Sequence, residues 1–369
     1  MLNRSDIHTA THLFRPARLT LARELRMLTK SDLAAQIDKT PSAVSQFESG
    51  KVRPDSSTVL RLALALNVPP GFFAFESRAD FIPIETCHFR SLRSASQRNR
   101  RKLLAIGTHL SDLVGLLEQY AALPPENVPA AADSTQPLSD DDVERCAADV
   151  RRRWGLGLGP IPNVVRLLET RGIVVCPIEA GSKDVDAFSF WHVHRPYVFL
   201  VMDKRSPSRS RFDACHELGH LAIHSRVRPG EPMAERQADR FASAFLLPRE
   251  SFLRECPDRL NWDHFYELKR RWRVSVAALL HRARDLGMIS TATYRRAFIH
   301  LNRTGQRTHE EFEPPEETPE LIAKAVEIAS EEIPMDHIAT DSGMPPSTFE
   351  ALLGLIRLAQ DSFPSGGQL

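Results

Sequence analysis

The spacing of hydrophobic residues along the chain alternates between helical and strand-like periods. Apolar positions three and four residues apart predict short helices over Pro16–Phe75 and a longer helix over Leu103–Leu123. Three runs rich in β-branched and aromatic residues predict strands instead, at Ile173–Ile178, Ala187–Trp191 and Tyr197–Met202. Helical spacing then returns and continues toward the C-terminus, with one polar, Pro-rich interruption. We therefore expect a mainly α protein with a small β-sheet.

Composition divides this pattern into domains. The stretch between Leu123 and Asp142 is rich in Pro, Ala and Ser and lacks apolar periodicity, which predicts a linker. The apolar faces beyond residue 290 suit packing on a neighbouring domain or dimerisation, and core packing is the simpler interpretation. The predicted division has four parts: a helical N-terminal domain (13–76), a basic helical connector with the linker (86–140), an α+β domain (141–255) and a helical C-terminal region (256–369).

Charge is distributed unevenly, although the whole chain carries a formal charge of only +1. Residues 1–102 hold 17 Lys and Arg against 9 Asp and Glu, and the remaining residues hold 31 against 38. This asymmetry predicts an N-terminal module that binds a polyanion.

Five scattered cysteines without a CxxC pair argue against a disulfide framework and against a thiolate zinc site. No membrane-length apolar run and no signal-like start is present, so we expect a soluble, cytoplasmic protein without a membrane partner.

Two short helices, about one turn apart, are predicted before Gly50. Ser31 is the expected N-cap of the first helix, and Thr40 with Pro41 begins the second. The outer side of the second helix carries small and amide side chains: Ser42, Ser45 and Gln46. Such side chains suit a helix that enters the major groove of DNA, where Gln can pair with adenine. The pattern is therefore typical of a helix-turn-helix.

The segment Leu33–Phe73 resembles the XRE-type, phage-repressor-like helix-turn-helix family almost throughout. The resemblance implies an all-α domain of five helices that binds double-stranded DNA, usually as a homodimer on a palindromic operator. It implies that four residues face bases or phosphates: Thr40, Ser42, Ser45 and Gln46. Asp38 stands where the family usually has Gly, and we expect it to adopt a positive φ at a modest cost. For the basic run Arg90–Lys102, a phosphate contact and a solvated helix start both remain open.

The sequence His216-Glu217-Leu218-Gly219-His220 has HExxH spacing, within a helix predicted over about 208–225. Histidines four residues apart lie on one helical face about 6 Å apart along the axis, so both can bind one zinc ion. A hydrolytic zinc site needs a third protein ligand as well. His224 continues the series, but it lies about 12 Å of helix rise from His216, too far to share the ion. A supporting position behind the ligands and a plain helix-end histidine both remain open for it.

Glu235 is the better candidate for the third ligand. It lies early in the next predicted helix, about 231–247, after a turn marked by Pro229-Gly230, so that this helix can fold back against the first. Asp239 follows one turn later on the same face. Its carboxylate could accept the outer N–H of a ligand histidine, which orients metal-bound imidazoles.

The stretches RFDACHELGHLAIH and ERQADRFASAFLLP resemble the ImmA/IrrE family of zinc-dependent metallopeptidases, and the resemblance extends over roughly Val143–Ile289. It implies a zincin-like α+β domain that performs metal-assisted peptide hydrolysis. The implied Zn²⁺ ligands are His216, His220 and Glu235, and Glu217 is the implied catalytic base. Cys215 stands where a small apolar residue is expected, and core packing is the favoured role over redox sensing.

A peptidase presents an extended substrate to its metal, and the predicted strand Tyr197–Met202 is our candidate for binding it as an added strand. Tyr197, His192 and His194 lie nearby in sequence, and each is open as the group that stabilises the oxyanion.

Three functions fit these features. The first is a DNA-binding transcriptional regulator with a zinc peptidase domain that cleaves itself, a neighbouring regulator or an antitoxin partner in response to a signal. The second is a transcription factor in which the zincin-like domain senses a ligand without hydrolysis. The third is the regulator of a toxin–antitoxin or phage-immunity module. Zinc content and cleavage separate the first from the second, and the neighbouring genes identify the third.

Overall fold

Helices, strands and helices follow one another in the predicted order. The computed structural model describes residues 4–77, 82, 88–89, 96–129, 138–178, 187–201, 206–224, 231–307 and 309–361. Over these residues the α-helices are α1 (Arg4–His12), α2 (Pro16–Leu25), α3 (Lys30–Gln36), α4 (Pro41–Glu48), α5 (Ser56–Leu66), α6 (Gln97–Leu117), α7 (Asp140–Arg153), α8 (Val164–Thr170), α9 (Pro207–Ile223), α10 (Pro232–Leu246), α11 (Arg249–Glu255), α12 (Trp262–Trp272), α13 (Val276–Asp285), α14 (Thr291–Arg303), α15 (Leu321–Ser330), α16 (Met335–Asp341) and α17 (Pro346–Asp361). A 3-10 helix spans Pro70–Ala74, and the strands are β1 (His88–Phe89), β2 (Val174–Ile178), β3 (Ala187–His192) and β4 (Arg195–Val201).

The fold class is therefore the predicted one, mainly α with a small sheet. Among the described helices, none combines the length and apolar character needed to cross a bilayer. Residues 90–95 of the basic run, 130–137 of the linker and the predicted turn at Pro229-Gly230 lie outside the described residues.

The chain divides into two units, of which the first comprises residues 1–86, 94–123 and 321–361 and the second 87–93, 124–320 and 362–369. The sequence-based division kept 256–369 together, whereas here the helices after Glu320 group with the N-terminal ones. The reason is that α15 and α16 pack against α6. Periodicity shows that a helix has an apolar face, but it does not show which distant helix covers that face.

In the first unit, the helices α1–α5 and the 3-10 helix enclose a common core that includes Leu19, Leu33, Val44, Leu62 and Phe73. A buried ion pair also braces this bundle, because the Nε of Arg23 on α2 lies 2.6 Å from a carboxylate oxygen of Glu48 on α4. Val44 and Phe47 are the buried residues of α4, so the opposite side of this helix faces outward. A domain of five α-helices is therefore present as predicted, but its first helix, α1, lies before the predicted start at residue 13.

The caps of α3 and α4 show which local signals decide where a helix begins. Thr29, not the predicted Ser31, caps α3: its hydroxyl accepts the N–H of Asp32 at 3.0 Å, and the Asp32 carboxylate accepts the N–H of Thr29 at 2.8 Å. This reciprocal capping box satisfies two helix-end donors at once, an advantage that Ser31 lacks. Thr40 does cap α4, and Asp38 has a φ of 54°, both as predicted.

A buried charged cluster joins α2 to the rest of the first unit. The Nη1 of Arg18 lies 3.4 Å from the Oδ2 of Asp112 on α6, and Ser77 donates to the other oxygen of Asp112 at 2.7 Å. The guanidinium also lies over the ring of Phe72 and donates to the carbonyl of Gly343, between α16 and α17. A single side chain thus links the bundle α1–α5 to α6 and to the C-terminal helices.

The sheet lies in the second unit, and its strand order is β1-β3-β4-β2. β3 and β4 form an antiparallel hairpin, β2 runs parallel to β4, and β1 pairs antiparallel with β3 through two residues. The three predicted strands are present within a few residues of their predicted ends. β1 is not predicted, because two paired residues are too short for a period to be recognised.

The segment 309–320, here called the acidic strap, is the polar interruption that the sequence predicts, and it caps three helices. Each capping contact joins a strap carboxylate to a backbone N–H in the first turn of a helix: Glu310 with Val276 of α13 at 2.9 Å, Glu313 with Ser208 of α9 at 2.8 Å, and Glu317 with Val164 and Val165 of α8 at 2.7 and 3.0 Å. Carboxylates at helix N-termini satisfy free donors and favour the helix dipole.

The acidic strap also neutralises two buried basic side chains. Lys269 is fully buried, and its Nζ lies 2.6 Å from Glu310 and 2.7 Å from Glu313. Arg211 on α9 is buried as well, and it pairs with Glu317. Part of the acidic surplus in the second half of the sequence therefore serves to hold this unit together.

Candidate metal centre and nucleic-acid interface

The HExxH sequence lies in the middle of α9, where α10 packs closely against it. Gly219 permits this approach: a Cβ at that position would lie 3.2 Å from the Phe241 side chain and 3.3 Å from the Cα of Ala238. Such contacts are tighter than normal packing, so a larger residue would push the two helices apart. The glycine between the two histidines thus brings the first turn of α10 to the site.

Two histidines of α9 and one carboxylate of α10 converge. The Nε2 atoms of His216 and His220 lie 3.1 Å apart, and the Glu235 carboxylate lies 3.4 Å from the first and 3.6 Å from the second. One donor atom from each residue lies within 4.8 Å of the others, and both histidines are fully buried. The structure brings together all three residues that the sequence suggests as ligands.

This donor set suits zinc. Two imidazole nitrogens and one carboxylate are ligands that catalytic zinc sites use while keeping a position open. The Nδ1 of His216 lies 2.8 Å from the Oδ1 of Asp239. Because a carboxylate only accepts, Nδ1 carries the proton in this contact, and the lone pair is on Nε2, which faces the other donors. Asp239 thus occupies the supporting position that the sequence suggests.

Glu217 follows His216 on α9, and its carboxylate contacts the sheet. It is fully buried, and one of its carboxylate oxygens accepts a hydrogen bond from the hydroxyl of Ser189 on β3 at 2.6 Å. Sequence reasoning missed Ser189. The available signal was a single polar residue inside the otherwise apolar run Ala187–Trp191, at a position that is fully buried in the fold.

His224 stands behind the converging donors. Its Nδ1 lies 3.0 Å from the Nδ1 of His220, and its Nε2 lies 2.9 Å from the Oε1 of Gln237 on α10. Burial lowers the pKa of His224, which favours the neutral ring. His224 therefore contacts the ring of His220 on the side away from His216 and Glu235. It follows His220 by one helical turn, at the C-cap of α9.

The strand that we suggested as the platform for substrate is unsuitable. β4 is hydrogen-bonded to β3 on one side and to β2 on the other, so it has no edge left for a further strand.

The structure separates the three residues suggested as oxyanion groups. Tyr197 stacks on Phe190 inside the sheet, His192 is buried at the end of β3, and His194 lies in an exposed turn. The structure brings Ser189, which is none of these, to Glu217.

Cys215 packs in the core of the second unit, as the sequence predicts. Its side chain is fully buried, and burial raises the pKa of the thiol to about 12. Because the thiolate is the reactive form of cysteine, this residue is unreactive at neutral pH.

The second candidate interface is the outer face of α4 in the first unit. Ser42 and Gln46 are exposed there, and Ser45 is half-buried and accepts a hydrogen bond from Lys30 at 3.1 Å. Thr40 is exposed at the N-terminus of the helix, where its hydroxyl accepts the N–H of Ala43 at 3.2 Å. All four suggested contact residues thus lie on or beside one helix.

Three further basic residues flank this face. Lys39 precedes α4, Lys51 and Arg53 follow it, and all three are exposed. The signal for them was a positive charge within two turns of the predicted recognition helix. By contrast, Arg98 and Arg101 of the basic run have acidic neighbours, at 3.6 Å from Asp32 and 3.9 Å from Glu24. These two charges therefore serve contacts inside the first unit.

Comparison with known protein families gives one match in each unit. Residues 19–73 match the model of a helix-turn-helix domain, and residues 168–284 match the model of the IrrE N-terminal-like domain. The second match contains the HExxH sequence, Glu235 and Asp239. A search of curated proteins gave no match. The chain thus joins a helix-turn-helix DNA-binding domain of the XRE type to a domain of the ImmA/IrrE peptidase-like family.

Proposed function

We propose that this chain is a DNA-binding transcriptional regulator whose second unit is a zinc-dependent peptidase, and that it cleaves itself or a partner regulator in response to a signal. The observation that carries the proposal is the convergence of His216, His220 and Glu235, with Glu217 on the same helix. His216, His220 and Glu235 hold the Zn²⁺ ion. Asp239 holds the ring of His216 in the tautomer that leaves Nε2 for the ion.

Zinc in this site supplies Lewis acidity, which activates water for attack and polarises the scissile carbonyl. Glu217 takes the proton from water on its carboxylate and returns it to the leaving amine. The hydrogen bond from Ser189 keeps this carboxylate in one orientation.

Metal content and cleavage test this proposal together. We expect the purified full chain to retain about one zinc ion per molecule, and His216→Ala and Glu235→Ala to lose it, because two ligands hold zinc too weakly. Zinc is measured by atomic emission, and hydrolysis with a fluorescence-quenched peptide library and with the chain itself. Bound zinc without cleavage of any peptide or protein would favour the ligand-sensing function, and no zinc at all would contradict both the metal site and the peptidase.

In the first unit, we propose that α4 reads the major groove of double-stranded DNA, with the chain acting as a homodimer on a palindromic operator. Its outward face presents Ser42 and Gln46, and Lys39, Lys51 and Arg53 are near enough in sequence to contact phosphates.

We expect Gln46→Ala to weaken operator binding by about 1–3 kcal/mol, because a bidentate contact between Gln and adenine is lost. Binding is measured by fluorescence anisotropy at fixed salt, with an operator selected from random duplexes. The control is Gln119→Ala, an exposed glutamine at the end of α6. Equal affinities of Gln46→Ala and wild type for the operator and for its mutated forms would show that Gln46 reads no base.

A further inference from the structure

His224, the C-cap residue of α9, approaches the proposed metal site from behind, and the proposed reaction gives it no role. It is buried at the C-terminal end of the helix, and it contacts the Nδ1 of His220, whereas the Nε2 of His220 faces His216 and Glu235. A residue on that side of the ring cannot share the ion. It can determine which nitrogen of His220 carries the proton.

The hydrogen bonds of Gln237 decide this question. Its Nε2 donates to the carbonyl oxygen of Leu138 at 2.7 Å, and because a carbonyl only accepts, the amide nitrogen of Gln237 must be on that side. Its Oε1 therefore faces His224, at 2.9 Å from Nε2. An amide oxygen only accepts too, so His224 carries a proton on Nε2.

The same logic extends to the metal ligand. A neutral His224 with its proton on Nε2 offers the lone pair of Nδ1, and it accepts the Nδ1–H of His220 across 3.0 Å. His220 protonated on Nδ1 has its lone pair on Nε2, the atom that faces the other two ligands. In the reverse arrangement His220 would carry its proton on Nε2, and it could not bind a metal there.

We propose that His224 is a positioning residue, which together with Gln237 fixes the tautomer of His220 and so prepares its Nε2 for zinc. This inference rests on the proposed zinc site. The two histidine ligands are then oriented by different chemistry. A partly exposed carboxylate, Asp239, orients His216, and a buried neutral chain from the Leu138 carbonyl through Gln237 and His224 orients His220.

The test measures zinc affinity in the full chain by competition with a chromogenic chelator. We expect His224→Phe, which keeps a ring but removes the acceptor, to weaken zinc binding about 10- to 100-fold. His224→Asn places an amide oxygen where Nδ1 was and should retain most of the affinity. The matched control is His300→Phe, the same substitution on α14 of the same unit, which keeps a ring next to Trp262 and should bind zinc like the wild type.

The melting temperature of the metal-free protein separates positioning from folding. A positioning role predicts weaker zinc binding with a metal-free melting temperature near that of the wild type. If His224→Phe does not fold, Gln237→Met takes its place, because it removes the acceptor that holds the His224 proton on Nε2, and it too should weaken zinc binding. Wild-type affinity in the folded His224→Phe or Gln237→Met chain overturns this inference alone, whereas a wild-type chain without zinc overturns the proposed function and this inference with it.

Discussion

Replacing Glu217 with Gln is expected to slow peptide hydrolysis at least about a hundredfold, because an amide cannot take the proton from the attacking water. The substitution preserves the size of the side chain. The Ser189 hydroxyl, now 2.6 Å from a carboxylate oxygen, can donate to the amide oxygen instead. Zinc content should therefore stay at the wild-type level, since Glu217 is not among the three converging ligands.

The measurement compares kcat/KM of the wild type and Glu217→Gln on one quenched peptide taken from the library. Glu250→Gln is the matched control, because Glu250 is exposed on α11 of the same unit and forms a surface ion pair with Arg254. Hydrolysis by Glu217→Gln at the wild-type rate would falsify the assignment of the base. Loss of zinc together with activity would instead indicate that the substitution disturbs the ligands.

The second large effect concerns the stability of the second unit. We expect Glu317→Ala to lower its free energy of unfolding by about 3–5 kcal/mol, the usual cost of removing one partner of a buried ion pair. Arg211 would keep its buried position without a counter-ion, and α8 would lose the carboxylate that accepts the N–H groups of Val164 and Val165.

Tryptophan fluorescence during urea unfolding reports this effect selectively. All four tryptophans, Trp154, Trp191, Trp262 and Trp272, lie in the second unit. Glu311→Gln is the control, since Glu311 is an exposed neighbour in the acidic strap and its substitution should change the free energy by less than about 0.5 kcal/mol. A Glu317→Ala curve that overlays the control would mean that Arg211 finds a replacement partner and that the strap contributes little.

Much of the candidate site is predictable because it depends on local geometry. Helical spacing alone places His216 and His220 on one face, and a turn between two helices suffices to bring Glu235 to them. The same holds for Thr40 and Asp38, since a cap and a left-handed turn residue are decided within four residues.

The features that escape prediction depend on contacts between distant parts of the chain. Ser189 reaches Glu217 across 28 positions, and Gln237 reaches Leu138 across 99. No period or spacing records such pairs. The order of strands in a sheet is equally non-local, which is why β4 was mistaken for an edge strand when it lies between two neighbours.

The acidic strap also determines where the second domain can be cut. Similarity to the IrrE N-terminal-like domain ends at residue 284, within α13. A fragment that ended there would contain Lys269 and Arg211 but none of the glutamates that neutralise them, and the first turns of α8 and α9 would lose their caps. We therefore expect the smallest form of this domain that folds on its own to extend to Glu320. This end lies beyond residue 284 by about one-third of the length of the family match. Expression of residues 168–284 alone should give an insoluble product.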